Sequence, residues 1–340
     1  MPKEQKSEFR SFRKELLREL GKAGYQASEV FTLKKNGEKE GIIFQNKSTF
    51  SPVIYIRPLY EEYIKGNSMP AIVQRIADQL PTALAEERRL QEIPVLELMH
   101  SHEHIRRNLR ICLLNRKTNK ELLAVTPNKI YGDFAAVVYW ILPDDSFRIM
   151  VRQELLEKMG VDFQVLFQDA YINMMDEFEL KTMEEMLYES MEDQLKPEEM
   201  KEFPSGVWIK KMCQGKELYV MTHKSGMFGA AALCFPKELE RAAEKTGGDF
   251  AVIPASVDEL IFLPFRKDLP LEALNELVHR INESLEVEER LADMTYVYLE
   301  KERNLVNSYD YMENIRRQRE QAEDTHQRGE HLAREEGRNR

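Results

Sequence analysis

The longest apolar run in this chain of 340 residues is Phe134–Leu142 (FAAVVYWIL), and its length limits what the chain can become. It falls far short of the ~20 apolar residues that a membrane-crossing helix needs. A short unbroken apolar run reads instead as a buried strand, here Ala135–Leu142, and a buried strand needs a core around it. Hydrophobic residues at 42% and charged residues at 32% fit a globular chain that can supply that core. At roughly 150 residues per domain, the length suggests about two globular units. The opening MPKEQKSEFR has no apolar stretch of the kind found in signal peptides, so neither export nor membrane insertion is expected.

Hydrophobic spacing gives the first half a mixed character. Phe9, Phe12, Leu16 and Leu20 step by three and four along an amphipathic helix. Asn36-Gly37 between β-prone runs predicts a hairpin over residues 29–45, because that pair tolerates the positive φ of a tight turn. A strand over 52–56, a short helix carrying Leu59, Tyr60 and Tyr63, and a helix over 71–80 follow. Helix then continues past a break at Pro94 to about Arg107. Two strands are expected in 110–125 around a polar turn at Thr118-Asn119, and helices over 153–159 and 163–175.

Residues 176–202 are acidic and rich in methionine. Met183, Met186, Leu187, Met191 and Leu195 fit one helical face, which makes this segment the expected link between the halves. Beyond it, strands are expected near 218–222, 230–235, 250–253 and 260–263, with a helix over 236–245 stopped by Gly247-Gly248. A further helix begins at Asp268 and Pro270 and carries Leu271, Leu274, Val278, Ile281 and Leu285. A last strand pair falls within 296–306. The expected fold is α/β of the α+β type, with mixed or antiparallel sheets packed by helices. Its parts are an N-terminal domain (1–195), a C-terminal domain (203–306) and a charged tail (307–340) that is a solvated helix or disordered.

Charge and cysteine usage narrow the partners. Forty-nine Lys and Arg against 59 Asp and Glu leave a net charge of -10, which repels phosphate backbones and anionic membranes, so nucleic acid and membrane are not expected partners. Cys112, Cys213 and Cys234 are odd in number, widely spaced and set in apolar surroundings. They form neither a disulfide framework nor a metal knuckle, and a reducing, cytoplasmic setting is expected.

The sharpest motif is HSHEH, in which His100, Glu103 and His104 match the inverted zinc-protease pattern H-x-x-E-H. If these residues share a helix face, the two histidines hold zinc and Glu103 deprotonates a bound water, with Glu177 or Glu179 as a third ligand. The competing reading is a solvated polar turn. Gly41–Ser48 (GIIFQNKS) misses a phosphate loop because Asn46 stands where the second glycine belongs. His223 reads as a polar loop residue, Cys112 and Cys234 as buried thiols, and Ser256 and Asp258 as turn caps before Glu259.

Four segments occur in a recognisable order: SPVIYIRPLYEEYIKGNSMPAIVQRI, LLNRKTNKELLAVTP, LLEKMGVDFQVLFQDAYINM and the stretch from Glu217 to Pro264, with LADMTYVYLEKERNLV closing the series. Together they resemble a bacterial family known as domain of unknown function 5688, common in gut clostridia, over most of residues 8–306. The resemblance implies no activity. The histidine cluster and the tail after Val306 stand outside the family's pattern. The expectation is therefore a non-catalytic, cytoplasmic accessory protein that binds another protein, with no cofactor. Tyr55, Tyr60, Tyr63, Met183, Met186 and Met191 are its candidate contact surface. A zinc-dependent hydrolase is the alternative.

Overall fold

Helix α1 (Lys3–Lys22) forms because Phe9, Phe12, Leu16 and Leu20 fall on one face, and all four are buried. They close over a three-stranded antiparallel sheet of β1 (Ala27–Lys34), β2 (Gly37–Phe44) and β3 (Val53–Tyr55). Helices α2 (Ile56–Ile64) and α3 (Met69–Glu92) complete this core with Ile56, Leu59, Ile72 and Ile76. The expected hairpin turn is present: Lys34 pairs with Gly37, and Asn36 and Gly37 take φ of 60° and 143°. Asn36 is held by Asn119, whose Oδ1 accepts its backbone N–H at 2.6 Å.

The computed structural model describes residues 3–44, 53–92, 97–98, 101–142, 147–186, 217–318 and 320–321. It divides into two compact units, Met1–Leu109 with Arg116–Pro127 and Val138–Ala170, and Arg110–Asn115 with Asn128–Val137 and Tyr171–Arg340. The units therefore interleave along the chain rather than meeting at one linker. Between the first hairpin and residue 174 come α4 (His102–Arg107), β4 (Leu109–Asn115), α5 (Lys120–Ala124), β5 (Lys129–Tyr131), β6 (Phe134–Ile141), β7 (Arg148–Met150), α6 (Gln153–Met159) and α7 (Phe163–Met174). Every residue of β6 is buried, as its apolar run requires, and β4, β5 and β7 all pair with it. The second strand expected in 110–125 is instead α5. Its residues KELLA are strong helix formers and bury only Leu122, which leaves no strand-like buried face.

The second unit is built on a six-stranded antiparallel sheet in the order β13-β12-β10-β11-β9-β8. Its strands are β8 (Phe178–Thr182), β9 (Tyr219–His223), β10 (Phe250–Pro254), β11 (Leu260–Pro264), β12 (Tyr296–Leu299) and β13 (Asn304–Asn307). Helix α9 (Leu271–Ser284) packs Leu271, Leu274 and Val278 against Ala251, Ile253 and Val297 on one face. The opposite face carries Phe250, Phe262 and Tyr298, with ring centroids 4.9–5.0 Å apart. Helix α8 (Pro236–Thr246) lies along β10 and β11 and ends at Gly247, whose φ of 82° suits glycine.

Two expectations change here. Residues 230–235 are not a strand: Gly229–Cys234 is a 3-10 helix following Phe228, whose φ is 60°. Three small alanines let this tight helix bury completely, and the apolar run that results imitates a strand in the sequence. The start of the acidic segment is not helix either. Phe178–Thr182 pairs with β9 along its whole length, from Phe178 opposite His223 to Thr182 opposite Tyr219. Residues 187–216, with Met191, Leu195 and Cys213, lie outside the described residues, as does the tail beyond residue 321. Among the described residues no helix is long and apolar enough to cross a membrane.

Candidate functional site

Glu103 and His104 of the histidine motif stand on the short helix α4. Helix α4 starts at His102, with Ser101 in extended conformation as its N-cap and the Ser101 Oγ accepting the His104 backbone N–H at 3.3 Å. His100 precedes this cap and lies outside the described residues. Glu103 is exposed and pairs with Arg107 at 2.8 Å. The His104 ring stands edge-on to Trp140, 6.0 Å between centroids, and its Nδ1 is buried without a hydrogen-bond partner. Glu177 and Glu179 pair with Lys224 and Lys181, at 3.4 and 2.8 Å. No group of three His, Cys, Asp or Glu side chains is arranged to hold a metal among the described residues.

The proposed contact surface is also redistributed. Tyr60 is buried, packed on Phe9 and Phe12 at 4.9 and 5.3 Å, so it belongs to the core of the first unit. Tyr63 covers Phe12 from a more exposed position, and Tyr55 lies under the Lys39 ammonium, 4.9 Å from the ring centre. Met183 packs against the core of the second unit, Met186 is half-buried, and Met191 is outside the described residues. Ser256 and Asp258 do act as turn caps. Ser256 Oγ accepts the N–H groups of Asp258 and Glu259 at 3.0 and 3.1 Å, and Asp258 Oδ1 accepts that of Phe228 at 2.6 Å.

His223 is not a surface loop residue; it ends β9 and is buried. Its Nδ1 accepts the Ser225 N–H at 3.1 Å and lies 2.7 Å from the Ser225 hydroxyl, so the neutral ring carries its proton on Nε2. Burial above all, and then the Arg110 charge, lowers its pKa from 6.5 to about 4. A histidine depressed in the folded state is neutral there and takes up a proton on unfolding. Its contribution is thus complete above pH 6.5 and declines as the pH falls towards 4. His223→Asn, whose Oδ1 can replace Nδ1 as acceptor, removes the titration. Urea unfolding from pH 7 to 4 should show the wild type losing roughly 2–3 kcal/mol more than this variant, and parallel pH profiles would refute the assignment.

A cleft of about 610 Å³ in the second unit brings together residues that no sequence motif connects. Alternation along β12 directs Tyr296 and Tyr298 to the face opposite Val297, and both line the cleft. The β5–β6 turn supplies Asp133, α8 supplies Glu240, and the β12–β13 turn supplies Arg303, which pairs with Glu240 at 2.8 Å. Asp133 Oδ2 accepts the Tyr296 hydroxyl at 3.3 Å and the Asn307 side-chain N–H at 3.2 Å. The same Asn307 nitrogen donates to Asp310 Oδ2 at 2.8 Å, while Asn307 Oδ1 accepts the Asp310 backbone N–H at 2.9 Å.

These contacts set the chemistry of the cleft. Burial, reinforced by the Asp133 charge, pushes the Tyr296 phenol far up, so it remains a neutral donor. Burial and then Glu240 raise Tyr298 in the same direction. The Cys234 thiol in the wall is fully buried and pushed well up, which keeps it protonated and a poor nucleophile. The local signals for this site were faint: tyrosines two apart in a strand, and Asn307 three residues before Asp310 as a helix-capping pair.

The model of one protein family, described as a family of unknown function (DUF5688), matches residues 7–300. No curated protein and no solved structure matches the chain. The matched range includes Asp133, Glu240, Tyr296 and Tyr298, whereas Arg303, Asn307 and Asp310 lie beyond it.

Proposed function

The chain belongs to the family of unknown function DUF5688, and from that premise we propose that it is a binding protein whose second unit receives part of a macromolecular partner in the Tyr296–Tyr298 cleft. The observation that carries this reading is the cleft itself, roomy and walled by neutral phenols and carboxylates fixed by hydrogen bonds. A volume of about 610 Å³ falls within the range of ligand sites. The protonated Cys234 thiol and the high phenols suit recognition rather than nucleophilic or proton-transfer chemistry. Cys112 and Cys234, both buried free thiols, are consistent with a reducing cytoplasm.

The test places the photo-crosslinker p-benzoylphenylalanine in place of Asn304 in the cleft or, as a control, in place of the exposed Lys267. In extract of the source cells, a discrete adduct formed only from position 304 is the expected result. Identical adducts from both positions, or none from position 304, would overturn the reading.

A further inference from the structure

We propose that β13 accepts an extended peptide segment of a partner protein as an added strand, with one side chain of that segment entering the cleft; this inference rests on the reading of the cleft as a binding site. The first reason is the direction of the backbone groups. β13 is the last strand on its side of the six-stranded sheet. Ser308 donates its N–H to the Thr295 carbonyl at 2.9 Å, and this pair continues the register in which Tyr296 faces Asn307 and Val297 faces Val306. Hydrogen-bonding direction alternates along a strand, so Asn304 and Val306 also turn towards β12, whereas Leu305 and Asn307 turn away from it. The Leu305 N–H and C=O and the Asn307 N–H therefore point off the sheet, where no backbone group among the described residues meets them. Donors and acceptors at this spacing match another extended main chain.

The second reason is the contrast with the opposite edge. On β8 the Met183 N–H bonds the Leu218 carbonyl at 2.8 Å, so Phe178, Leu180 and Thr182 face outward. There the Arg241 guanidinium donates to the Phe178 carbonyl at 3.0 Å, and the Glu185 carboxylate accepts the Thr182 N–H at 2.7 Å. Glu179 and Lys181 add charge to the same strand. Side chains placed in this way guard an edge against strand addition. β13 carries no such guard of its own: Asn304, Leu305, Val306 and Asn307 include neither a charge nor a proline.

The cleft supplies the third reason, because all four residues of β13 line it. Leu305 and Asn307 stand opposite Tyr298 and Tyr296, so their side chains share the tyrosine face of the sheet. A residue added opposite Leu305 takes that face too. Its side chain enters the cleft, where Tyr131, Phe134, Leu239 and Tyr298 form much of the wall. Its two neighbours point to the other face. The partner segment is thus bonded through its main chain and carries one large apolar side chain at the anchoring position.

A phage-displayed library of random decapeptides, panned on the full chain, supplies the probes, and the selected peptides are synthesised and titrated by calorimetry. Leu305→Pro removes the outward N–H and puts a ring on the edge without deleting a β12–β13 hydrogen bond. Leu305→Ala keeps the backbone edge and only shortens the side chain. The proline variant is expected to bind the selected peptides at least about tenfold more weakly, and the alanine variant to stay within about threefold of the wild type. In the wild-type complex, amide hydrogen exchange at Leu305 and Asn307 should slow at least about tenfold, a readout that needs no variant.

Failure to select any peptide, equal binding by wild type and Leu305→Pro, or unslowed exchange at both amides would overturn the proposal. A dimer of the full chain that Leu305→Pro dissolves would assign the edge to a second copy and overturn it as well. A specific adduct at position 304 without strand addition would leave the cleft as a binding site of another kind. Failure of both experiments would remove both readings.

Discussion

Replacing Gly229 with alanine is expected to destabilise the second unit by about 3–5 kcal/mol, enough to abolish most soluble protein. A Cβ at this position would stand 2.3 Å from the Asp258 carbonyl oxygen, 2.6 Å from Thr222 Cα and 2.9 Å from His223 N. All three obstacles are backbone, so no side chain can swing away. Gly226 provides the control. Its φ is 68° and a Cβ there meets nothing within 4 Å. Gly226→Ala should therefore lose only about 1 kcal/mol, the strain of a left-handed alanine. Urea midpoints of the two variants decide the matter; equal, small losses would show that the β9 edge yields more readily than close packing allows.

The close approach at Gly229 also matters for the cleft. It turns the chain out of β9 into the 3-10 helix, which ends at Cys234 in the cleft wall. Helix α8 begins directly after it and presents Glu240 to Arg303. A shift at residue 229 would thus carry the acidic wall with it. Gly229→Ala protein that stays soluble is expected to bind less well even though Asp133, Asn307 and Asp310 are intact.

What was legible in the sequence follows from how local each signal is. Helix α9 announced itself through Leu271, Leu274 and Val278, since three- and four-residue steps are written within one helix. The hairpin did so through Asn36-Gly37, where one dipeptide supplies the backbone freedom of the turn. The 3-10 helix and α5 were misread because an apolar or β-prone run states burial, not the backbone geometry that achieves it. Strand β8 was hidden because its pairing with β9 is a long-range fact, 37 residues or more apart, absent from the acidic composition of its surroundings.

The site was less legible still. Asp133, Glu240, Tyr298 and Asn307 come from the β5–β6 turn, α8, β12 and β13, and only the strand order β13-β12-β10-β11-β9-β8 brings the last two to one edge. The compact HSHEH motif drew attention for the opposite reason, because its residues are contiguous. Contiguity alone does not make a site, and of the motif's three residues only Glu103 and His104 are described, on α4 behind its Ser101 cap.

That sheet edge depends on a buried polar lock, and disrupting it should give the second large effect. Asn275 of α9 is buried, and its Oδ1 accepts both the Thr295 backbone N–H at 2.8 Å and the Ser308 hydroxyl at 3.0 Å. Thr295 and Ser308 are fully buried and joined by a backbone hydrogen bond of 2.9 Å. Asn275→Ala leaves two buried donors without an acceptor, for an expected loss of about 2–4 kcal/mol. Asn275→Leu separates this from a packing defect: it fills the space yet should remain at least ~2 kcal/mol less stable, because the donors stay orphaned.

Ser308→Ala removes one of those donors, so the double variant with Asn275→Ala should lose less than the two single losses combined, a coupling of about 0.5–2 kcal/mol. Additive losses would mean that the three residues do not act as a unit. The lock also bears on function, because Thr295 immediately precedes Tyr296 and Ser308 immediately follows Asn307. Loosening it frees both strands that carry the cleft's hydrogen-bonded donors. The Asn275 variants should therefore give a weaker photo-adduct from position 304 while the side chains lining the cleft stay chemically untouched.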